Sequence, residues 1–256
     1  MSNNNEFANC LVANLKSLNA KEREYLVRYA YQGDEQDRPP LSEAMIRDLR
    51  NLFPNELGNA DCKFAGMDYH LDWLHVALYL ACNSVTVEEA QSKKRVESLD
   101  KFQDEVDKTL RPVTGGQEDV DLLAVFVDGS TTIVLFIEAK GVGSFGRVQL
   151  ARKLVRLDRI LAASGARECK DLKCEFVLTG PERESEWHGS KNLFNYAKTL
   201  PEEHRLLTDR LVEHPLHIGL RKWFLPLTGF PGSLKKVTRT KSSKSSDFTH
   251  WKITSR

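Results

Sequence analysis

The chain has 256 residues, 41% of them hydrophobic, with 37 Lys plus Arg against 36 Asp plus Glu. That length and apolar content place it in the ordinary globular class, with enough chain for one substantial core and a helical appendage. A net charge of +1 excludes recruitment of a polyanion by overall charge, so any basic surface has to come from local clustering.

The N-terminus, MSNNNEF, is polar, with no apolar stretch behind a basic start, and no apolar run approaches the ~18 residues of a membrane span. The expectation is a cytoplasmic protein with no membrane partner. Five cysteines (Cys10, Cys62, Cys82, Cys169, Cys174) are scattered and never spaced C-x-x-C, which argues against a disulfide framework or a structural zinc site. The histidines form no H-E-x-x-H: His70 and His75 diverge on a helix, and Pro215 between His214 and His217 disfavours one.

In chain order, the first hundred or so residues read as helical. FANCLVANLKSL places Phe7, Leu11, Leu15 and Leu18 at helical period, and Asn19 with Glu22 forms a capping-box start for KEREYLVRYAY. DRPP breaks the chain at 37–40. LSEAMIRDLRNLF then sets Leu41, Met45, Leu49 and Leu52 in register, and MDYHLDWLHVALYLA predicts a buried helix. The charged stretch 85–110 predicts a solvated helix. At RPVTGGQ, 111–117, Pro and two Gly end the helical pattern.

Beyond that break, DLLAVFV and TIVLFI are short apolar runs rich in β-branched residues, the pattern of central strands covered on both faces. Between them Asp-Gly-Ser-Thr suits a type II′ hairpin turn. RVQLARKLVRLDRILAAS reads as a helix starting near Phe145, CEFVLTGP as a further core strand, and HPLHIGLRKWFLPL as the source of one more. The predicted fold class is α/β (α+β), a central mixed sheet flanked by helices with a helical N-terminal part. The expected organisation is a helical region over 1–112, a core over 113–233 and a basic, flexible tail over 234–256.

The hairpin turn sets a register. With Gly129 and Ser130 as turn residues, Asp128 faces Thr131, Asp121 faces Glu138 and Asp119 faces Lys140. Directly opposed residues lie ~4.5–5.5 Å apart at Cβ and share a sheet face with residues two away, whereas a one-residue slip scatters them. Asp119, Asp121, Glu138 and Lys140 thus gather at the strand ends farthest from the turn. Carboxylates crowded at the rim of an apolar sheet repel one another and lose solvation, a cost that a divalent cation with hard oxygen ligands relieves. Mg²⁺ is the natural occupant, with Mn²⁺ as an alternative, and phosphodiester hydrolysis is the chemistry such a site serves.

Val120-Asp121, an apolar strand, a turn, a second apolar strand and Glu138-Ala139-Lys140, 17 residues after Asp121, resemble the PD-(D/E)xK nuclease superfamily over about 60 residues, Gln117 to Gly180. The resemblance implies a restriction endonuclease-like core and a metal-dependent nuclease acting on DNA. It implies metal binding by Asp121, Glu138 and the carbonyl of Ala139, assistance to the attacking water by Lys140, and a glutamine near the site, here Gln149. Val120 stands where the family has its proline. Asp119 competes with Asp121 for the metal role, and Glu43, Asp68 or Asp72 can add a further carboxylate, as helices do in some members.

GVGSFGRV, Gly141 to Val148, also spells the glycine-rich loop that covers ATP in protein kinases. That loop works only with a strand lysine, a catalytic-loop aspartate and a magnesium aspartate, and no H-R-D, D-F-G or A-P-E occurs. The segment after Arg147 reads as helix where a kinase has a strand. A phosphate contact through Gly143, Ser144 and the start of the following helix is the better use of the loop, with a plain strand-to-helix turn equally open. Arg152, Arg156 and Arg159, with Arg147 and Lys153 nearby, predict a basic stripe on that helix for nucleic-acid phosphates, and solvation of a helix face is the blander account. Homodimerisation suits cleavage of both strands of a duplex. Two rivals stand beside the nuclease: a nuclease-like binding scaffold without catalysis, and a phosphate-ligand protein using the Gly141 loop.

Overall fold

The computed structural model describes residues 4–19, 21, 22, 24, 26, 40–91, 112–115, 118–140, 146–180, 207, 218, 224–226, 235–241 and 249–255, with residues 4, 5, 147, 224, 226, 235–241 and 249–255 described by backbone alone. The predicted helices at Phe7–Leu18 and Leu41–Phe53 appear as α1 (Asn4–Leu18) and α2 (Glu43–Leu52). Ser42 caps α2, accepting a hydrogen bond from Met45 N (3.3 Å), and Pro54 opens the one-turn α3 (Pro54–Leu57). Asn19 accepts from Lys21 N (3.2 Å) and donates to Glu24 Oε2 (2.8 Å).

The largest departure lies at 61–82. The predicted helix beginning at Met67 is a strand, β1 (Asp61–His70), followed by α4 (Leu71–Cys82). His70 is the boundary, because its extended backbone and Nδ1, which accepts from Asp72 N (3.1 Å), make it the N-cap of α4. The region 1–112 is therefore not helical throughout. It contributes an edge strand to the sheet, since β1 pairs antiparallel with β2 (Asp119–Asp128) from Asp61↔Val127 to His70↔Asp119. Gly66 on β1 admits its aromatic neighbours closely, as a Cβ there would lie 2.9 Å from Phe64 Cζ and 3.0 Å from Tyr69.

β2 and β3 (Thr131–Ala139) form the predicted hairpin in the predicted register, from Asp128↔Thr131 to Leu122↔Ile137. Gly129 has φ 55° and Ser130 no positive φ, the type II′ pattern. α5 (Val87–Gln91) begins the charged stretch whose remainder, 92–110, lies outside the described residues. α6 (Arg147–Ala163) follows the glycine loop with Gly146 as its N-cap, so the segment after Arg147 is helix, as read. It leads into β4 (Leu172–Gly180), parallel to β3, and β5 (Phe224–Pro226) extends the sheet parallel to β4.

The order β1-β2-β3-β4-β5 is a mixed sheet. Side chains alternate between its faces. Val134 and Phe136 pack with α1, α4 and α6, whereas Ile133, Leu135 and Ile137 pack with Leu49 of α2, Phe53 at the junction and Leu57 of α3. The molecule is thus α+β, with helices on both faces of the sheet. The tail read as flexible contains a separate antiparallel pair, β6 (Lys235–Lys241) and β7 (Thr249–Ser255). All five cysteines are free thiols, and burial pushes that of Cys82 up to about 12. Among the described residues no helix is long and apolar enough to cross a membrane.

Candidate functional site

Backbone pairing between β2 and β3 ends at Leu122↔Ile137, and two acidic side chains complete the next step. The Ala139 N–H donates to Asp121 Oδ2 (2.6 Å), and the Asp121 and Glu138 carboxyls lie close enough to interact electrostatically. Asp121 thereby satisfies an amide that the ladder would otherwise have paired. The two carboxylates are thereby held beside each other at the strand ends farthest from the turn, on the face that α6 covers.

α6 answers them with a lysine. Lys153 Nζ donates to Glu138 Oε1 and to the Asp119 carbonyl oxygen (2.7 Å), and its side chain is 5% exposed. Burial pushes the Glu138 carboxyl above its ordinary range; the Lys153 ammonium pulls the other way, and Asp121 beside it adds to the rise. Gln149 lies one turn before Lys153, exposed, and packs back over Gly146 at the helix start.

Asp119 does not join this pair. It stands opposite His70 of β1, and Lys21 Nζ takes its Oδ2 at 2.7 Å, while Oδ1 is buried without a hydrogen-bond partner among the described residues. The expected facing of Asp119 and Lys140 is absent because β2 has turned from β3 to β1 at that point. Lys140 is half-buried, and its N–H continues the sheet by donating to Thr179 O (2.9 Å).

Of the other carboxylates considered, Glu43 is exposed on α2, on the opposite side of the sheet. Asp72 is engaged by Arg156 and by the Thr114 and Gly115 amides (3.1 and 2.8 Å). Asp68 is half-buried between Met67↔Leu122 and Tyr69↔Val120, which sets it opposite Asp121, and it has φ 48°, a left-handed conformation Asp tolerates.

The basic stripe needs correction. Arg152 is exposed, but Arg156 is 1% exposed and its guanidinium binds Asp72 and, at 2.7 Å, Glu118 Oε2. Arg159 is also buried. Arg156 is therefore withdrawn as a surface contact for nucleic-acid phosphates. The physical reason is that Lys153 and Arg156 lie one turn apart on the face of α6 that meets the acidic entry to β2 and the first turn of α4. Sequence reasoning missed this role for both. The signal was available: Leu154, Val155 and Leu157 surround them, and a helix apolar around most of its circumference is enclosed. Gly143 and Ser144 lie outside the described residues, as does the side chain of Arg147, whose backbone opens α6.

The donor set fits a hard divalent cation in a limited form. Asp121, Glu138 and the carbonyl of Ala139 offer the oxygens Mg²⁺ takes, and a buried carboxylate with a second one against it gains from such an ion. Among the described residues no three or more His, Cys, Asp or Glu side chains converge, so the fit is to a two-carboxylate site, the kind that leaves room for water and substrate oxygens.

Comparison with models of known protein families, with curated proteins and with solved structures finds no match.

A pH prediction follows from Glu138. A carboxyl raised in the folded state contributes stability that is present below its ordinary value of 4.5 and is lost as pH rises through the folded value. Glu138→Gln, whose amide oxygen still accepts from Lys153, is expected to melt at a higher temperature than wild type at pH 7–8. The gap should close as pH falls below about 4.5. Melting curves across pH test this, and a variant less stable at neutral pH would mean that the ion pair outweighs desolvation.

Proposed function

We propose that the protein is a metal-dependent nuclease hydrolysing phosphodiester bonds in DNA, with Asp121 and Glu138 as its metal ligands. The observation that carries the reading is the carboxylate pair at the end of the β2–β3 hairpin, where Asp121 is tied to the Ala139 amide and lies beside Glu138, directly before Ala139 and Lys140. In this reading Asp121, Glu138 and the Ala139 carbonyl hold Mg²⁺ or Mn²⁺, which supplies Lewis acidity and activation of water when bound. Lys140, next along the chain, orients the attacking water and offsets negative charge developing on the phosphate. Gln149, exposed in the first turn of α6, is the glutamine of the site in this reading, and exposed Arg152 contributes to phosphate contact.

The ion pair from Lys153 favours the second reading, a nuclease-like scaffold that binds without cleaving, because it gives Glu138 a partner without metal. Incubation with supercoiled plasmid, linear duplex and single-stranded DNA, each with Mg²⁺, Mn²⁺ or EDTA, separates the two. The expected result is cleavage of at least one substrate with metal and none with EDTA. Tight DNA binding without cleavage under any metal would replace the nuclease with the scaffold.

A further inference from the structure

We propose that the Lys153 ammonium is the resident counter-ion of the Asp121–Glu138 pair, and that a divalent cation enters by displacing it from Glu138. The inference rests on the metal-site reading above.

A lysine is almost never fully buried unless paired, and Lys153 reaches its position from the middle of α6 to end on two oxygens, one carboxylate and one backbone carbonyl. That is the ligand chemistry a hard cation uses, applied here to an ammonium. Charge counting points the same way. With both acids ionised, Asp121 and Glu138 set two negative charges against the one positive charge of Lys153, an excess of one negative charge. A divalent ion added beside Lys153 would reverse that sign, whereas a divalent ion replacing it balances the pair. Two cations sharing the Glu138 carboxylate in a buried site would also repel each other directly.

The flexible four-carbon stem of lysine makes the exchange feasible in a way a planar arginine would not. Lys21 meanwhile holds Asp119 Oδ2, and Lys153 already reaches the Asp119 carbonyl, so the ammonium keeps one of its two partners when it leaves Glu138. Lys153 therefore sets how tightly the site takes metal, and metal loading frees a cation beside the carboxylate pair.

The test is titration calorimetry of Mn²⁺ into the full chain as wild type, Lys153→Met and Glu138→Ala, with melting curves to establish folding. Lys153→Met is expected to bind Mn²⁺ at least about tenfold more tightly than wild type, since a like charge a few ångströms away is removed, and Glu138→Ala should lose binding. Equal or weaker binding by Lys153→Met, with clear binding by wild type, overturns the counter-ion role and leaves the metal site standing. Absence of Mn²⁺ binding in both overturns the two together. Should Lys153→Met fail to fold, acetylation of wild-type Lys153 followed by mass spectrometry gives the answer without a variant. Labelling is expected to rise when Mn²⁺ is added, and labelling unchanged by Mn²⁺ refutes displacement.

Discussion

Arg156→Met is expected to lower folding stability by about 3–5 kcal/mol, the cost of removing one member of a buried ionic group. The guanidinium is 1% exposed and binds two carboxylates from different parts of the chain, Asp72 at the first turn of α4 and Glu118 just before β2. It also lies 3.4 Å from the Pro112 carbonyl oxygen. The methionine fills much of the volume, so the loss is electrostatic and not a cavity effect. What remains among the described residues is a partly buried Asp72 carboxylate held by the Thr114 and Gly115 amides. Denaturant titration checks this, and the double variant Arg156→Met with Asp72→Asn should recover part of the loss because the two sites share one interaction. A change below about 1 kcal/mol in the single variant would place Arg156 with solvated surface cations and reopen its candidacy as a phosphate contact.

The second large effect concerns cleavage. Under the nuclease reading, Asp121→Asn and Glu138→Gln each reduce the single-turnover rate at saturating Mg²⁺ by at least about 10³-fold, because metal polarisation contributes several kcal/mol and each ~1.4 kcal/mol is tenfold. Lys140→Ala falls by about 10²–10⁴-fold, the range for a positioned proton-transfer group. Glu138→Gln is informative because the same substitution is expected to raise neutral-pH stability. A protein that is more stable and inactive separates a functional role from a structural one. Glu138→Gln cleaving at the wild-type rate would remove the carboxylate pair from the active site.

The sheet core was legible because its determinants are local. Two β-branched apolar runs joined by Asp-Gly-Ser-Thr specify a hairpin whose turn sets the register, and that register brings Asp121 to Glu138 wherever the hairpin packs. β1 was not legible in the same way. DCKFAGMDYH lacks a strong alternation, and it runs into an apolar helix whose periodicity extends backwards over it; only pairing with β2 and the cap at His70 decide its conformation.

The sequence by itself determined the mixed α+β character, the hairpin, its register, the helix after the glycine loop and the adjacency of the two acids. Each follows from residues within a few positions of one another or from a turn that dictates the pairing. Only the tertiary structure decided which charges meet: Lys21 with Asp119 across 98 residues, Arg156 with Asp72 across 84, and Lys153 with Glu138. A charged residue's sequence neighbours do not say whether it faces water, substrate or a counter-charge. That depends on the low-dielectric enclosure built when distant elements pack, where an unpaired charge is costly and a paired one is kept.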